Sequence, residues 1–353
     1  MEHLILAINP GSTSTKIAVF RDETAVLRES ISHPQEEIEV FNGILEQIPM
    51  RRALVLKTMQ EGGINPKDLT ACVGRGGLLP PIKTGGYKVT QTILDLVMGE
   101  KIPAHASNLG SVLAHGVAQP LGIPSFIYDA ESAADFSEMV KITGMKEIVR
   151  ESFSHVLNAR ANAIEYAKNK GVSISDLNII VAHLGGGITV GAYRGGKVVD
   201  SIADDNGPFA PERSGVVPLL QFIDLCYSGN FTKKEMQKKV RGMGGLRDLL
   251  GTSDGRKIAQ MIADGDGYAK LVMQAQAYQV AKGIMQLYPA LGCKVDAVIL
   301  TGGLANAKDL VEGIKSFLGG ITEVAVYPGE MEMEALGLGA LRMLRGEEEI
   351  LEM

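Results

Sequence analysis

Residues 4–21, LILAINPGSTSTKIAVFR, decide the fold. The apolar run Leu4-Ile5-Leu6-Ala7-Ile8 predicts a buried strand, and Ile17-Ala18-Val19-Phe20 predicts a second. Between them lies a polar tip running from Asn9 through Gly11, Ser12, Thr13 and Ser14 to Lys16. Strand, small polar turn, strand is a β-hairpin. Its tip offers glycine for close backbone approach, several hydroxyls, an amide and a lysine. Those groups suit a polyphosphate, because N–H and hydroxyl groups donate and the lysine neutralises charge. An ordinary polar turn draws on the same residue types.

The second half of the chain repeats the pattern. Residues 178–193, NIIVAHLGGGITVGAY, again give an apolar strand, one polar residue (His183 where the first hairpin has Asn9), a small-residue turn and a second strand. The turn here is Gly185-Gly186-Gly187. Two such hairpins about half a chain apart predict a duplicated domain core rather than a short solenoid repeat. A third loop follows, where the strand VDAVIL (295–300) runs into Thr301-Gly302-Gly303-Leu304-Ala305-Asn306 and a helix. Its glycines let a ligand pack on the backbone, and a helix N-terminus favours an anion.

A length of 353 residues predicts two domains, and 45% hydrophobic residues are enough for substantial cores. A net charge of −6 supplies no field for nucleic acid. Cys72, Cys226 and Cys293 have no paired spacing, which argues against a disulfide framework or a zinc site and fits a reducing cytosol. No stretch of about 20 uncharged apolar residues is present, so no membrane span is expected. The first strand begins so early that no signal peptide is expected, and the location expected is cytoplasmic.

Other residues stand out by position. Arg75 lies among glycines (Gly74, Gly76, Gly77) at the end of a short apolar strand, as an anion contact or a solvated turn arginine. His105 precedes a helix expected over 109–119, with Ser107 or Asn108 as its N-cap. Asp129 ends the strand 124–128, where acids of α/β folds often serve a site. His155 opens an alanine-rich helix, 156–170, capped by Gly171. Residues 36–60 read as one helix stopped by Gly62-Gly63, and helices are expected over 256–264, 267–287 and from Glu332 to Leu344. The segments 204–215 and 242–254 are too polar and glycine-rich for core. There is no G-x-x-x-x-G-K-[ST] and no G-x-G-x-x-G after a strand, which weakens P-loop and dehydrogenase readings.

INPGSTSTK, GRGG, PAHASN, HLGGG, GPFAPERSG and LTGGLAN, in this order and over nearly the whole chain, resemble the acetokinase family of the actin/sugar kinase/Hsp70 superfamily. The resemblance implies an α/β fold of two domains with duplicated ribonuclease H-like (actin-like ATPase) cores and an interdomain active-site cleft. The domains expected are 1–155 plus the returning C-terminal helix 333–353, on the carboxylate side, and 156–332, on the nucleotide side. It also implies ATP and a short-chain carboxylate giving an acyl phosphate and ADP, with Mg²⁺. A fatty carboxylate, with a pKa of roughly 4 to 5, is ionised at neutral pH and needs no general base. What it needs is two anions held in line with their repulsion cancelled.

On that resemblance Arg75 would hold the carboxylate, with His105 nearby, and Arg213 would stabilise the transferring phosphoryl group. Asn9, Ser12, Ser14 and Lys16 would form the first phosphate loop, and Gly185, Gly186 and Gly187 the second. His155 and His183 would donate to phosphoryl oxygens. Asp129 and Glu334 would serve Mg²⁺ and its waters, Glu334 being chosen over Glu330 and Glu332. Gly302, Gly303 and the segment 242–253 would contact adenosine. Gly186 stands where acetate kinases carry Asn, as in butyrate-type members. The run Phe153-Ser154-His155 displaces the aromatic residue by one from the family pattern, and IYDAESAADF around Asp129 departs from it. A homodimer or higher homo-oligomer is expected, with no nucleic-acid or membrane partner.

Overall fold

The computed structural model describes residues 2–353. The chain divides into two compact units, one formed by residues up to 135 together with 331–353 and the other by 136–330.

In the first unit the strands are β1 (Leu4–Pro10), β2 (Ser14–Arg21), β3 (Thr24–Ser32), β4 (Ala71–Arg75), β5 (Gly86–Lys88) and β6 (Ser125–Tyr128). The second unit holds β7 (Asn178–Leu184), β8 (Ile188–Arg194), β9 (Lys197–Ile202), β10 (Ala297–Gly302) and β11 (Glu323–Pro328). The last strand, β12 (Ile350–Leu351), returns to the first unit.

The two sheets share one plan. Their orders are β12-β5-β6-β4-β1-β2-β3 and β11-β10-β7-β8-β9. The series β3-β2-β1-β4-β6 and β9-β8-β7-β10-β11 match in order and in sense: two antiparallel pairings, then two parallel ones. Each series even carries an irregularity at the corresponding pairing, between Val19 and Phe20 in one and between Ala192 and Tyr193 in the other.

Strand β1 is buried along its whole length, as a central strand covered on both faces must be. The helix Leu109–Ala118 packs on β1, β4 and β6, and the helix Glu332–Leu344 on β1, β2, β4 and β6. Leu6, Ile8, Val19, Leu109 and Leu113 share one core, and Ile180, Val190, Val280, Ile284 and Leu300 another. Cys72 lies inside the first unit, where burial pushes its thiol up to about 12 and leaves it inert.

Residues 36–60 do not form the single helix expected. They fold as Gln35–Ile38, a 3₁₀ turn Ile44–Gln47 and Ile48–Glu61. Gly43 is extended, and Pro49 sits in the first turn of the last segment, where a missing N–H costs nothing and a new helix starts readily.

The position of β4 is set by an approach of backbone to backbone. A Cβ on Gly74 would lie 2.0 Å from the carbonyl oxygen of Gly110, and a Cβ on Gly110 would lie 2.3 Å from that of Arg75. Neither neighbour is a side chain that can swing away. Gly110→Ala should therefore cost about 3 kcal/mol or more through overpacking. A urea denaturation midpoint within error of the parent protein would contradict this packing.

Candidate active site

Because β1 and β4 are parallel neighbours, their carboxyl ends bring Asn9 and Arg75 together. Arg75 Nη1 donates to Glu332 Oε1 at 2.9 Å and to Asn9 Oδ1 at 3.4 Å, while Nη2 pairs with Glu131 Oε1 at 3.0 Å. Asn9 Nδ2 in turn donates to Glu332 Oε2 at 2.6 Å. Burial works to lower the Arg75 pKa, but the two carboxylates outweigh it and hold the guanidinium charged. Its Nε–H is buried with no partner among the described residues. Of the three acids near the last helix, Glu332 joins this cluster, whereas Glu334 pairs with Arg28.

Asp129 follows β6 with a φ of 42°, its N–H bonded to Gly85 O and its Oδ1 accepting from Gly85 N, each at 3.1 Å. His105 is exposed, and its Nδ1 lies 2.6 Å from Ser107 Oγ. Asn108 Oδ1 accepts from Leu78 N at 2.8 Å, which stitches the PAHASN segment to the stretch after Arg75. Asn108 is the N-cap residue of the helix Leu109–Ala118, as expected, though its side chain makes no capping hydrogen bond, and His105 caps the preceding 3₁₀ turn Ala106–Asn108.

The hairpin tip rests on Arg51, from the helix Ile48–Glu61, with no exposed surface. Its guanidinium donates to the carbonyl oxygens of Gly11 (2.9 Å), Ser12 (3.0 Å) and Ser14 (3.1 Å), and to Thr15 Oγ1 (3.0 Å). Gln47 Oε1 accepts from both Nε and Nη2. The N–H of His33 donates to Thr13 O at 2.8 Å, and His33 Nε2 lies 2.8 Å from Thr15 Oγ1. Above this floor Ser12, Thr13 and Lys16 are exposed and Ser14 is half-buried.

In the second unit the rings of His155 and His183 stack, with centroids 4.0 Å apart and planes 13° from parallel. His155 Nδ1 lies 3.0 Å from Thr189 Oγ1. Asn158 Nδ2 donates to His183 Nδ1 at 2.9 Å, which assigns the proton of a neutral His183 to Nε2. The Gly185 N–H bonds Gly187 O across the second hairpin tip. Asp204 packs against Gly187 and holds two arginines: Oδ2 takes Arg213 Nε at 2.9 Å, and Oδ1 takes Arg241 Nη2 at 2.7 Å.

Gly302, at φ 90°, exchanges both backbone hydrogen bonds with Gly329, and a Cβ there would meet Leu184 O at 2.5 Å. Beyond Gly303 opens a cavity of about 680 Å³, lined by Leu246, Ile258, Met273, Leu304, Leu310 and Phe317 among others.

The structure thus groups Asn9 with Arg75, and His155 with His183, within their own units. It adds Arg51, Glu131, Asp204 and Arg241, which sequence reasoning did not single out. Asp204 belongs to a segment already marked as too polar for core. Arg51, beside Arg52 on a helix, carries no such signal.

The chain has a two-unit α/β fold of the actin-like ATPase type. Its sheets match solved structures at low identity: an acetate kinase from Porphyromonas gingivalis (18% identical, covering 94% of this chain and 98% of that one, TM-score 0.76) and a ROK family protein from Streptococcus pneumoniae (12%, 98% and 99%, TM-score 0.54). The model of the acetokinase family matches residues 151–325. A protein described as probable butyrate kinase 2, from Caldanaerobacter subterraneus subsp. tengcongensis, is 43% identical over 345 residues, 98% of each chain. The chain belongs to the acetokinase family.

The floor of the first hairpin gives a pH test. Burial first, and the Arg51 charge second, hold His33 down to about 4 from an ordinary 6.5. The unfolded chain takes up this proton near pH 6.5 and the folded one only near pH 4. The destabilisation from this residue is therefore absent above pH 6.5 and grows as pH falls from there to about 4. His33→Gln should flatten part of that slope in urea midpoints measured across the window. Identical slopes in the two proteins would contradict a depressed His33.

Proposed function

We propose that the chain is a butyrate kinase, transferring the γ-phosphoryl group of ATP directly and in line to the carboxylate of butyrate, reversibly, to give butanoyl phosphate and ADP. The observation that carries this reading is the 43% identity, along nearly the whole of both chains, to a protein described as probable butyrate kinase 2. The site chemistry supports it. Its groups are guanidinium, imidazole, amide and N–H, the donors needed when the nucleophile is already an anion.

In this reading Arg75 receives the carboxylate, with Glu131 and Glu332 holding its plane fixed at the end of β4. Arginine suits the task because its planar fork binds carboxylate with defined geometry. Arg213, oriented by Asp204, stabilises the charge on the transferring phosphoryl group, and the Nε2–H of His183 donates to it. Residues 9–16 and 185–187 hold the phosphates. The cavity beside Leu304 seats adenosine, its apolar walls suiting a base.

Asp129, just after β6, and Glu332, at the start of the last helix, offer the hard oxygen donors that would suit Mg²⁺ bound largely through waters and substrate phosphates. Glu332 is preferred to Glu334 because it lies with Asn9 and Arg75. When bound, the ion would supply neutralisation of the nucleotide phosphates.

We also propose that the chain is cytoplasmic and a homo-oligomer. No helix among the described residues is long and apolar enough to cross a membrane. The helix Leu219–Cys226 buries none of its residues, and Leu220 and Tyr227 are 78% and 87% exposed, the kind of apolar face that association covers.

Incubation with ATP, Mg²⁺, butyrate and hydroxylamine should yield acyl hydroxamate, most efficiently among straight and branched acids of two to six carbons. Arg75→Ala should chiefly raise the KM for the acid, and Arg213→Ala should chiefly lower kcat. Comparable kcat/KM for acetate and butyrate would sink the butyrate assignment. Full activity in both arginine variants would sink the roles.

A further inference from the structure

We propose that Arg51 is a positioning residue that turns the first hairpin into an anion receptor. The inference rests on the reading of residues 9–16 as a phosphate loop. Four successive carbonyl oxygens at the tip are engaged from below: those of Gly11, Ser12 and Ser14 by the Arg51 guanidinium, and that of Thr13 by the His33 N–H. With its acceptors committed to the floor, the tip exposes the hydroxyl-bearing Ser12 and Thr13 and the cationic Lys16. That is the polarity of a loop that receives phosphate.

The charge of Arg51 adds to this. The guanidinium is fully buried, and its partners among the described residues are carbonyl, amide and hydroxyl oxygens rather than a carboxylate. A buried cation neutralised only by dipoles is costly, and one layer of backbone separates it from the loop's outer face. A phosphate resting on that face is stabilised by the same positive charge through a medium that screens it poorly. His33, the other titratable group at the floor, is held neutral beside Arg51 and adds no second positive charge.

The test compares Arg51→Met, Arg51→Lys and Gln47→Leu with the parent protein, by calorimetric titration with Mg-ADP and by KM for ATP and for butyrate. Gln47→Leu removes only the acceptor that holds Nε and Nη2 in place. Arg51→Met is expected to weaken Mg-ADP binding about tenfold or more, the scale of lost hydrogen bonds to a charged group. The KM for butyrate should stay within about twofold, Arg51→Lys should recover part of the loss, and Gln47→Leu should show a smaller loss of the same kind. If Arg51→Met does not fold, Gln47→Leu decides alone. Parent-like Mg-ADP affinity in every variant that folds would overturn the proposal, as would equal losses for nucleotide and butyrate. A parent protein that binds Mg-ADP but forms no acyl hydroxamate would overturn the activity reading, while the same titrations still decide the role of Arg51.

Discussion

The first unit depends on one guanidinium that ties together segments from distant parts of the chain. Arg75 comes from β4, Asn9 from β1, Glu131 from the loop after β6, and Glu332 from the helix that returns after the whole second unit. Taking one cation and two carboxylates out of water costs several kcal/mol per ion, so the cluster adds little net stability. Removing one partner is another matter, because it strands a buried charge at a cost of about 3–5 kcal/mol. The cluster therefore specifies an arrangement. It fixes where the last helix begins and how the guanidinium lies at the strand ends.

The shared sheet plan explains why two chemically different sites fall at equivalent places. Asn9 lies at the carboxyl end of β1 and His183 near that of β7, and each strand is flanked by an antiparallel partner and a parallel one. A polar side chain at the end of a buried strand has no core to enter, so it turns toward whatever the tip and the neighbouring strand supply. In the first unit that is Arg75 and Glu332. In the second it is Asn158 and the ring of His155.

The parts of the fold that were legible are those where burial is complete. Strands β1, β2, β7, β8 and β10 show as apolar runs because they are covered on both faces. Strands β3 and β9 escaped notice: β3 is an edge strand with no buried residue, and its sequence TAVLRESIS lacks a continuous apolar run. The break at residues 39–43 was hidden because the apolar residues on either side of it keep helical spacing. Glycines or strand ends mark Arg75 and His183 locally, whereas Arg213 came from the family resemblance. Their partners Glu131 and Asp204 are acids in loops, and only tertiary pairing distinguishes them from solvated ones.

Arginines dominate these sites because orientation matters as much as charge. A lysine ammonium can be neutralised by any nearby oxygen, but a guanidinium has a plane, and several acceptors are needed to fix it. Arg75 is fixed by Glu131, Glu332 and Asn9, and Arg213 by Asp204, itself braced by Arg241. In both, carboxylates do the orienting, which spends part of the positive charge. Arg51 is oriented by an amide oxygen, a hydroxyl and three carbonyls, which leave its full unit of charge uncancelled. The arginines at the strand ends are thus arranged for geometry with charge partly offset. The one beneath the hairpin tip keeps its charge and lends geometry to the loop instead.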